Sequence, residues 1–187
     1  MEEFESDIDV NEVIHDIRDN NSLLHGTTID YISNIIGTHS ENIMIQQTWK
    51  LQNPQLQDQL DFSKKHIQIL GGYMNINEHW ICIYYDGNQL HFYDSLGNTD
   101  FFLLHDTVQD YIIQNYSNDR LDIVGHKVTH QPDGRSCGVY ASAFAITLAL
   151  GHDPAKYQFS RNAIHMRNHL AAIAQSKILT LFPTSDK

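Results

Sequence analysis

The chain has 187 residues, 41% hydrophobic and 19% charged, with a formal charge of −11. That length holds one domain with a real core and argues against two, and no apolar run approaches the ~20 residues of a membrane span. The negative charge argues against binding to a nucleic-acid backbone and suits a basic protein partner.

The acidic opening, MEEFESDID, is a loose tail over residues 1–9, and it lacks the basic start of a secretory signal. Residues 10–187 then read as a single domain. Val10, Val13, Ile14 and Ile17 follow helical spacing to about Arg18. Thr27 and Asp30 have the spacing of a capping box; Ile29, Ile32, Ile35 and Ile36 continue that helix, and Gly37 ends it. ENIMIQ (41–46) reads as a short strand. The Gln-, Asn- and Asp-rich residues 49–65 read as a loop or weak helix, and HIQIL (66–70) as a strand. WICIYY and QLHFYD flank Asp86-Gly87, the preferred pair for a two-residue hairpin turn. TDFFLLHDTVQDYIIQNY (99–116) reads as one amphipathic helix, and LDIVGHKV (121–128) as a strand. HQPDGRS is a turn-rich loop. CGVYASAFAITLALG is a buried helix stopped by Gly151, and a last helix covers about Arg161 to Ser176. The sum is an α+β domain with helices packed on a small sheet.

The hairpin carries the first candidate chemistry. With Asp86-Gly87 as a two-residue loop, Tyr85 pairs with Asn88, and counting outward places His79 opposite Asp94. Cross-strand partners lie with Cβ atoms ~5 Å apart on one face. Ile81, Ile83, Leu90 and Phe92 share that face and form the core beneath the pair. A carboxylate there fixes the imidazole's tautomer and stabilises its charged form. Cys137 opens the apolar helix after a loop with Pro132 and Gly134. A helix N-terminus favours the thiolate, which is the nucleophile, and a loop–helix junction is expected to be accessible. Gly138 leaves room for a substrate backbone. Gln131, six residues before Cys137, is placed to donate to an oxyanion together with the Cys137 N–H. Cys82, mid-strand, is core packing.

Two cysteines make no disulfide framework and suit a reducing compartment, cytoplasmic or nuclear. The 12 histidines form no HExxH motif, and His126 and His130 sit on a strand, so they read as surface residues and no metal site is expected. Gly134-Arg135-Ser136-Cys137-Gly138 also fits G-x-S-x-G, the serine-hydrolase elbow. Too little chain follows Ser136 to build the doubly wound parallel sheet which that motif needs.

NEHW (77–80), FYDSLGN (92–98) and QPDGRSCGVY (131–140), with LLHGTTIDYISNII (23–36) more loosely, resemble the ubiquitin-like-protease family. That family includes SUMO proteases, adenovirus protease and bacterial deubiquitinase effectors. MRNHL (166–170) and LFP (181–183) look like members associated with mobile elements, so the likeness runs from about Leu23 to Pro183. The resemblance implies a papain-like fold, with His79 as base, Asp94 as its orienter, Cys137 as nucleophile and Gln131 in the oxyanion hole. It implies that Trp80 covers a channel for a modifier's Gly-Gly tail; from the residue alone, Trp80 reads as edge packing. The implied partner is ubiquitin or a ubiquitin-like modifier, met by a monomer that needs no cofactor. The charge leans toward ubiquitin. The segment between Ile45 and His66 carries no family pattern, and in this family it helps choose the modifier. Two alternatives stay open: an acetyltransferase built on the same constellation, and a catalytically inactive modifier-binding module. With no targeting extension evident, the sequence reads as a catalytic domain.

Overall fold

A computed structural model describes residues 8–48, 55, 57–71, 79–116 and 121–185. Residues 1–7 of the expected tail, 49–54 and 56 of the expected loop, and Asn77 and Glu78 of NEHW lie outside the described residues. Asp9 accepts from the Asn11 N–H and so caps helix α1, Val10–Arg18.

Helix α2 spans Gly26–His39. The expected capping box is not there: the cap residue is His25, with no side-chain cap bond. Asp16 of α1 serves instead, accepting from the His25 backbone (3.0 Å), the His25 ring (2.7 Å) and the Thr28 hydroxyl. Asp30 turns inward and accepts from the Thr48 N–H. Gly37 does not end the helix. It lets Ile45 approach, since a Cβ there would lie 3.0 Å from Ile45 Cγ2.

Among the described residues five strands form one mixed sheet in chain order: β1 Ile43–Met44, β2 Lys65–Gly71, β3 Trp80–Tyr85, β4 Leu90–Tyr93 and β5 Ile123–His126. The outer pairs are parallel, whereas β2–β3 and β3–β4 are antiparallel. This is an α+β sheet, and it rules out the serine-hydrolase architecture.

The β3–β4 hairpin corrects the expected register by two residues. Tyr85 pairs with Leu90 and Cys82 with Tyr93, so residues 86–89 form a four-residue loop. The Asp86 carboxylate accepts from both the Asn88 and Gln89 N–H groups at 2.8 Å. That closes the loop more fully than a two-residue turn would. A shift of two keeps every side chain on its face, where a shift of one would have reversed them all. Ile81, Ile83, Leu90 and Phe92 therefore still share one core.

The expected helix over 99–116 breaks in two. Phe101–Leu103 form one 3-10 turn, and α3 runs Asp106–Tyr116. Helix α3 covers the Ile81 face through Val108, Tyr111, Ile112 and Tyr116. The opposite face, with Cys82 and Tyr93, meets α4, Cys137–Ala149. Every α4 residue from Cys137 to Leu148 is buried, as a helix that is apolar nearly all round must be. Of its buried hydroxyls, Ser142 donates to Gly138 O and Thr147 to Ala143 O within the helix, and Tyr140 donates to Ser160 O, all at 2.7 Å. Gly151, at φ 84, takes the left-handed position just after α4. Helix α5, Ala163–Ser176, is capped by Asn162 and packs on α1. No described helix is long and apolar enough to cross a membrane.

Arg167 of α5 ties the layers together. It is 1% exposed, and its guanidinium donates to Ile17 O and Ser22 O at 2.9 Å and to Arg135 O at 3.3 Å. The last of these carbonyls belongs to the loop that leads into Cys137. Arg167→Met would leave these acceptors without their donor and is expected to cost about 3 kcal/mol. A urea-unfolding midpoint lowered at unchanged slope would confirm it; an unmoved midpoint would show that water replaces the guanidinium.

Candidate active site

The loop before α4 is built by one carboxylate. Asp133 accepts from the Arg135 and Ser136 N–H groups, both at 2.8 Å, and from the Ser136 hydroxyl at 2.9 Å. Ser136 holds the cap position of α4 but makes no side-chain cap bond itself. Its hydroxyl is thus occupied and buried, unlike the exposed serine of a hydrolase elbow. Cys137 follows at the first helical position, where a backbone N–H has no partner within the helix. The expectation that Cys137 is accessible is corrected: it is 1% exposed. The junction is covered, because α4 is sunk in the core from its first residue.

His79 and Asp94 meet at the open end of the hairpin. The imidazole Nε2 lies 2.6 Å from Asp94 Oδ1. In the observed register Asp94 continues opposite Ile81, so His79 reaches it diagonally along one face rather than straight across. Diagonal neighbours lie ~7–8 Å apart at the backbone, a gap that a histidine spans. Asp94 is fully buried yet fully satisfied. The Leu96 N–H donates to the oxygen that His79 uses (2.9 Å), and Asn98 Nδ2 donates to the other (2.7 Å). Burial alone would push this carboxyl up, but the bond and charge of His79 with those two donors hold it below its ordinary range.

The Cys137 side chain is the second partner that favours the charged form of the His79 imidazole. Since Nε2 faces Asp94, Nδ1 is the nitrogen left for sulfur. Burial works against the charged imidazole, but Asp94 and then Cys137 outweigh it and raise its pKa to about 9. The raised value sets a sign. The stabilisation of the fold by these partners is complete below pH 6.5 and is lost as pH rises through about 9. Activity that depends on an imidazolium at this position is expected to decline on an alkaline limb near pH 9. A pH profile of kcat/KM measures this, and a limb near 7 would contradict it.

Gln131 is held at both ends of its amide. Ser95 Oγ donates to Oε1 at 2.6 Å, and Nε2 donates to Asp133 O at 2.6 Å. The Gln131 N–H donates to Ser95 O at 2.9 Å. One Nε2 proton is committed to Asp133, and the second is the one available to an incoming oxygen.

Ser95 and Asn98 were not singled out from sequence, although both lie in FYDSLGN directly after Asp94. The signal was a turn: Gly97 takes φ 88, and its N–H bonds Asp94 O at 2.9 Å. That bend folds Asn98 back onto the carboxylate.

Trp80 is 2% exposed, and its indole N–H donates to Leu24 O at 3.1 Å. Its ring presses on Gly71 and Gly138, so a Cβ at Gly71 would lie 2.7 Å from it. Gly138 is corrected as well. It is buried, and a Cβ would meet Leu24 at 3.1 Å and Trp80 at 3.2 Å, so what it admits is these side chains rather than open space. Cys82 is fully buried and its thiol is pushed far up by burial, as core packing requires. His126 is not a loose surface residue, because its Nε2 lies 2.9 Å from His91 Nδ1. Among the described residues no group of three or more His, Cys, Asp or Glu could hold a metal ion.

A thiol beside an imidazole that is itself bonded to a buried carboxylate can give its proton to that imidazole and present a thiolate. The family model described as "Ulp1 protease family, C-terminal catalytic domain" matches residues 30–180. Comparison with curated proteins returned no match. Among solved structures, the C-terminal Ulp1 protease domain in complex with Smt3, the yeast orthologue of SUMO, is similar at 17% identity and TM-score 0.65, over 91% of this chain and 94% of that one. The Ulp1-like SUMO protease catalytic domain of Chaetomium thermophilum matches at 16% identity and TM-score 0.56, over 83% and 76%. The Xanthomonas campestris effector XopD bound to ubiquitin matches at 16% identity and TM-score 0.52, over 81% and 91%.

Proposed function

The chain belongs to the Ulp1 protease family, and from that premise we propose that it cleaves ubiquitin or a ubiquitin-like modifier after the modifier's C-terminal Gly-Gly, with Cys137 as nucleophile, His79 as base and Asp94 as the base's orienter. The observation that carries this is the His79 imidazole, bonded to the buried Asp94 carboxylate at 2.6 Å and favoured in its charged form by the side chain of Cys137, the first residue of α4.

His79 Nδ1 takes the Cys137 proton, giving a thiolate–imidazolium pair whose Nε2–H stays on Asp94. The thiolate attacks the carbonyl carbon of the terminal glycine. Gln131 Nε2 and the Cys137 N–H stabilise the oxyanion; losing one such donor costs ~10²–10³ in rate. Collapse breaks the C–N bond, and His79 gives its proton to the departing lysine amine. Water then attacks the thioester, passing a proton to His79; the modifier leaves as a carboxylic acid that ionises to solvent, and Cys137 regains its proton from His79. Trp80, packed on Gly138 beside the nucleophile, borders the slot for the Gly-Gly tail.

Relatives of known structure are seen with Smt3 and with ubiquitin. The −11 charge of this chain favours the modifier with the more basic face, which supports ubiquitin over SUMO. Both cysteines are free thiols, in keeping with a reducing cytoplasmic or nuclear setting.

The test is a set of isopeptide-linked ubiquitin, SUMO and NEDD8 conjugates. Release of intact modifier from at least one, fastest from ubiquitin, is expected. Release from none by folded protein would overturn the proposal.

A further inference from the structure

Three large apolar side chains stand exposed within eight residues just after Asp94: Leu96 at 52%, Phe102 at 79% and Leu103 at 65%. Phe102 and Leu103 lie on the 3-10 turn Phe101–Leu103, which stops at Leu104 before α3 starts at Asp106.

The turn is held in place. Asp100 accepts from the Phe102 N–H at 3.0 Å, and Gln109 Nε2 donates to Phe102 O at 3.3 Å and to Leu104 O at 2.7 Å. Leu103 lines a small cavity together with His79, Asp94 and Asn98. Leu96 adjoins the same carboxylate through its N–H. Leu103 thus stands at the His–Asp end of the site with Phe102 as its neighbour on the turn and Leu96 two residues from Asp94, whereas Trp80 and Gly138 pack together beside Cys137.

We infer that Leu103, with Leu96 and Phe102, forms the leaving-group wall of the site and takes apolar side chains beside the acceptor lysine of the conjugated polypeptide. This rests on the peptidase function proposed above. In that reaction the proton taken from Cys137 is returned by His79 to the departing amine. The departing polypeptide must then lie on the His79 side of the sulfur, and the Gly-Gly tail on the other. The surface it meets there is this wall. Exposed apolar side chains grouped beside a reacting centre mark a contact surface rather than ordinary surface variation. Substrates with apolar residues next to the acceptor lysine are accordingly cleaved faster than those with acidic ones, which the −11 charge also repels.

The experiment compares two substrates of one modifier, ubiquitin or SUMO, whichever labels the wild-type chain. One is an isopeptide conjugate; the other is the same modifier with a C-terminal alkyne warhead and nothing beyond it. Phe102→Ser and Leu103→Ser are expected to lower kcat/KM for the conjugate about tenfold, the range for a lost apolar contact. Labelling of Cys137 by the warhead stays within twofold, and Leu103→Met restores conjugate cleavage. Phe102, the most exposed of the three, guards against misfolding as the cause. An equal fall with both substrates would place the wall against the modifier, or make it a shield for the His79–Asp94 bond, and overturn the inference. No change with either would also overturn it. A wild-type chain that neither labels nor cleaves refutes the peptidase function itself, a distinct result.

Discussion

Cys137→Ala is expected to lower conjugate cleavage by about 10⁴–10⁶-fold while leaving modifier binding intact. The sulfur is the nucleophile of the described site, because the neighbouring Ser136 hydroxyl is committed to the Asp133 carboxylate and has no imidazole beside it. The substitution removes one atom from a helix start whose geometry is set by Asp133 and the carbonyl of Ser136 rather than by the thiol. Alanine is also the residue best tolerated in a helix, so the fold is expected to persist. Steady-state cleavage and equilibrium binding of the free modifier separate the two effects. Residual turnover above a few per cent would show that another group attacks the carbonyl.

Asp94→Asn is expected to reduce kcat by about 10³–10⁴-fold, the scale on which a triad carboxylate acts in serine proteases. Asparagine keeps the shape, and its oxygen can still accept from Asn98. The position facing His79 Nε2, at 2.6 Å in the parent chain, loses its charge. An amide N–H placed there would force the His79 proton onto Nδ1, the nitrogen needed to accept from Cys137. Asp94 is also the leading partner that raises His79 to about 9, so the alkaline limb of any remaining activity is expected to move down. A lower kcat with that limb still near 9 would mean that Cys137 alone sets the imidazole's charge.

The candidate site was more legible in the sequence than the geometry that assembles it. Helix α1 and strand β3 match their patterns residue for residue, since an amphipathic repeat and a β-branched, aromatic run are local signals. The hairpin register was not local in that sense. It turned on whether the Asp86 side chain would close a longer loop, and it does. The His79–Asp94 pair survived because the error was an even number of residues. The start of α2 was misplaced because its capping carboxylate, Asp16, comes from another helix. Burial of Cys137 was equally invisible, since a turn-rich loop gives no sign of what lies over it. Ser95 and Asn98 escaped notice for a related reason. Small polar residues after an aspartate usually serve the turn alone, and only the folded chain shows one reaching Gln131 and the other the far oxygen of Asp94.

The most direct test of the account is to find where a modifier attaches. The chain is treated with ubiquitin and SUMO carrying a C-terminal thiol-reactive group, digested, and the adduct located by mass. The account predicts a single adduct on the Cys137 peptide, lost in Cys137→Ala, with Cys82, whose thiol is pushed far up by burial, unmodified. An adduct on Cys82, or none on folded protein, would contradict it.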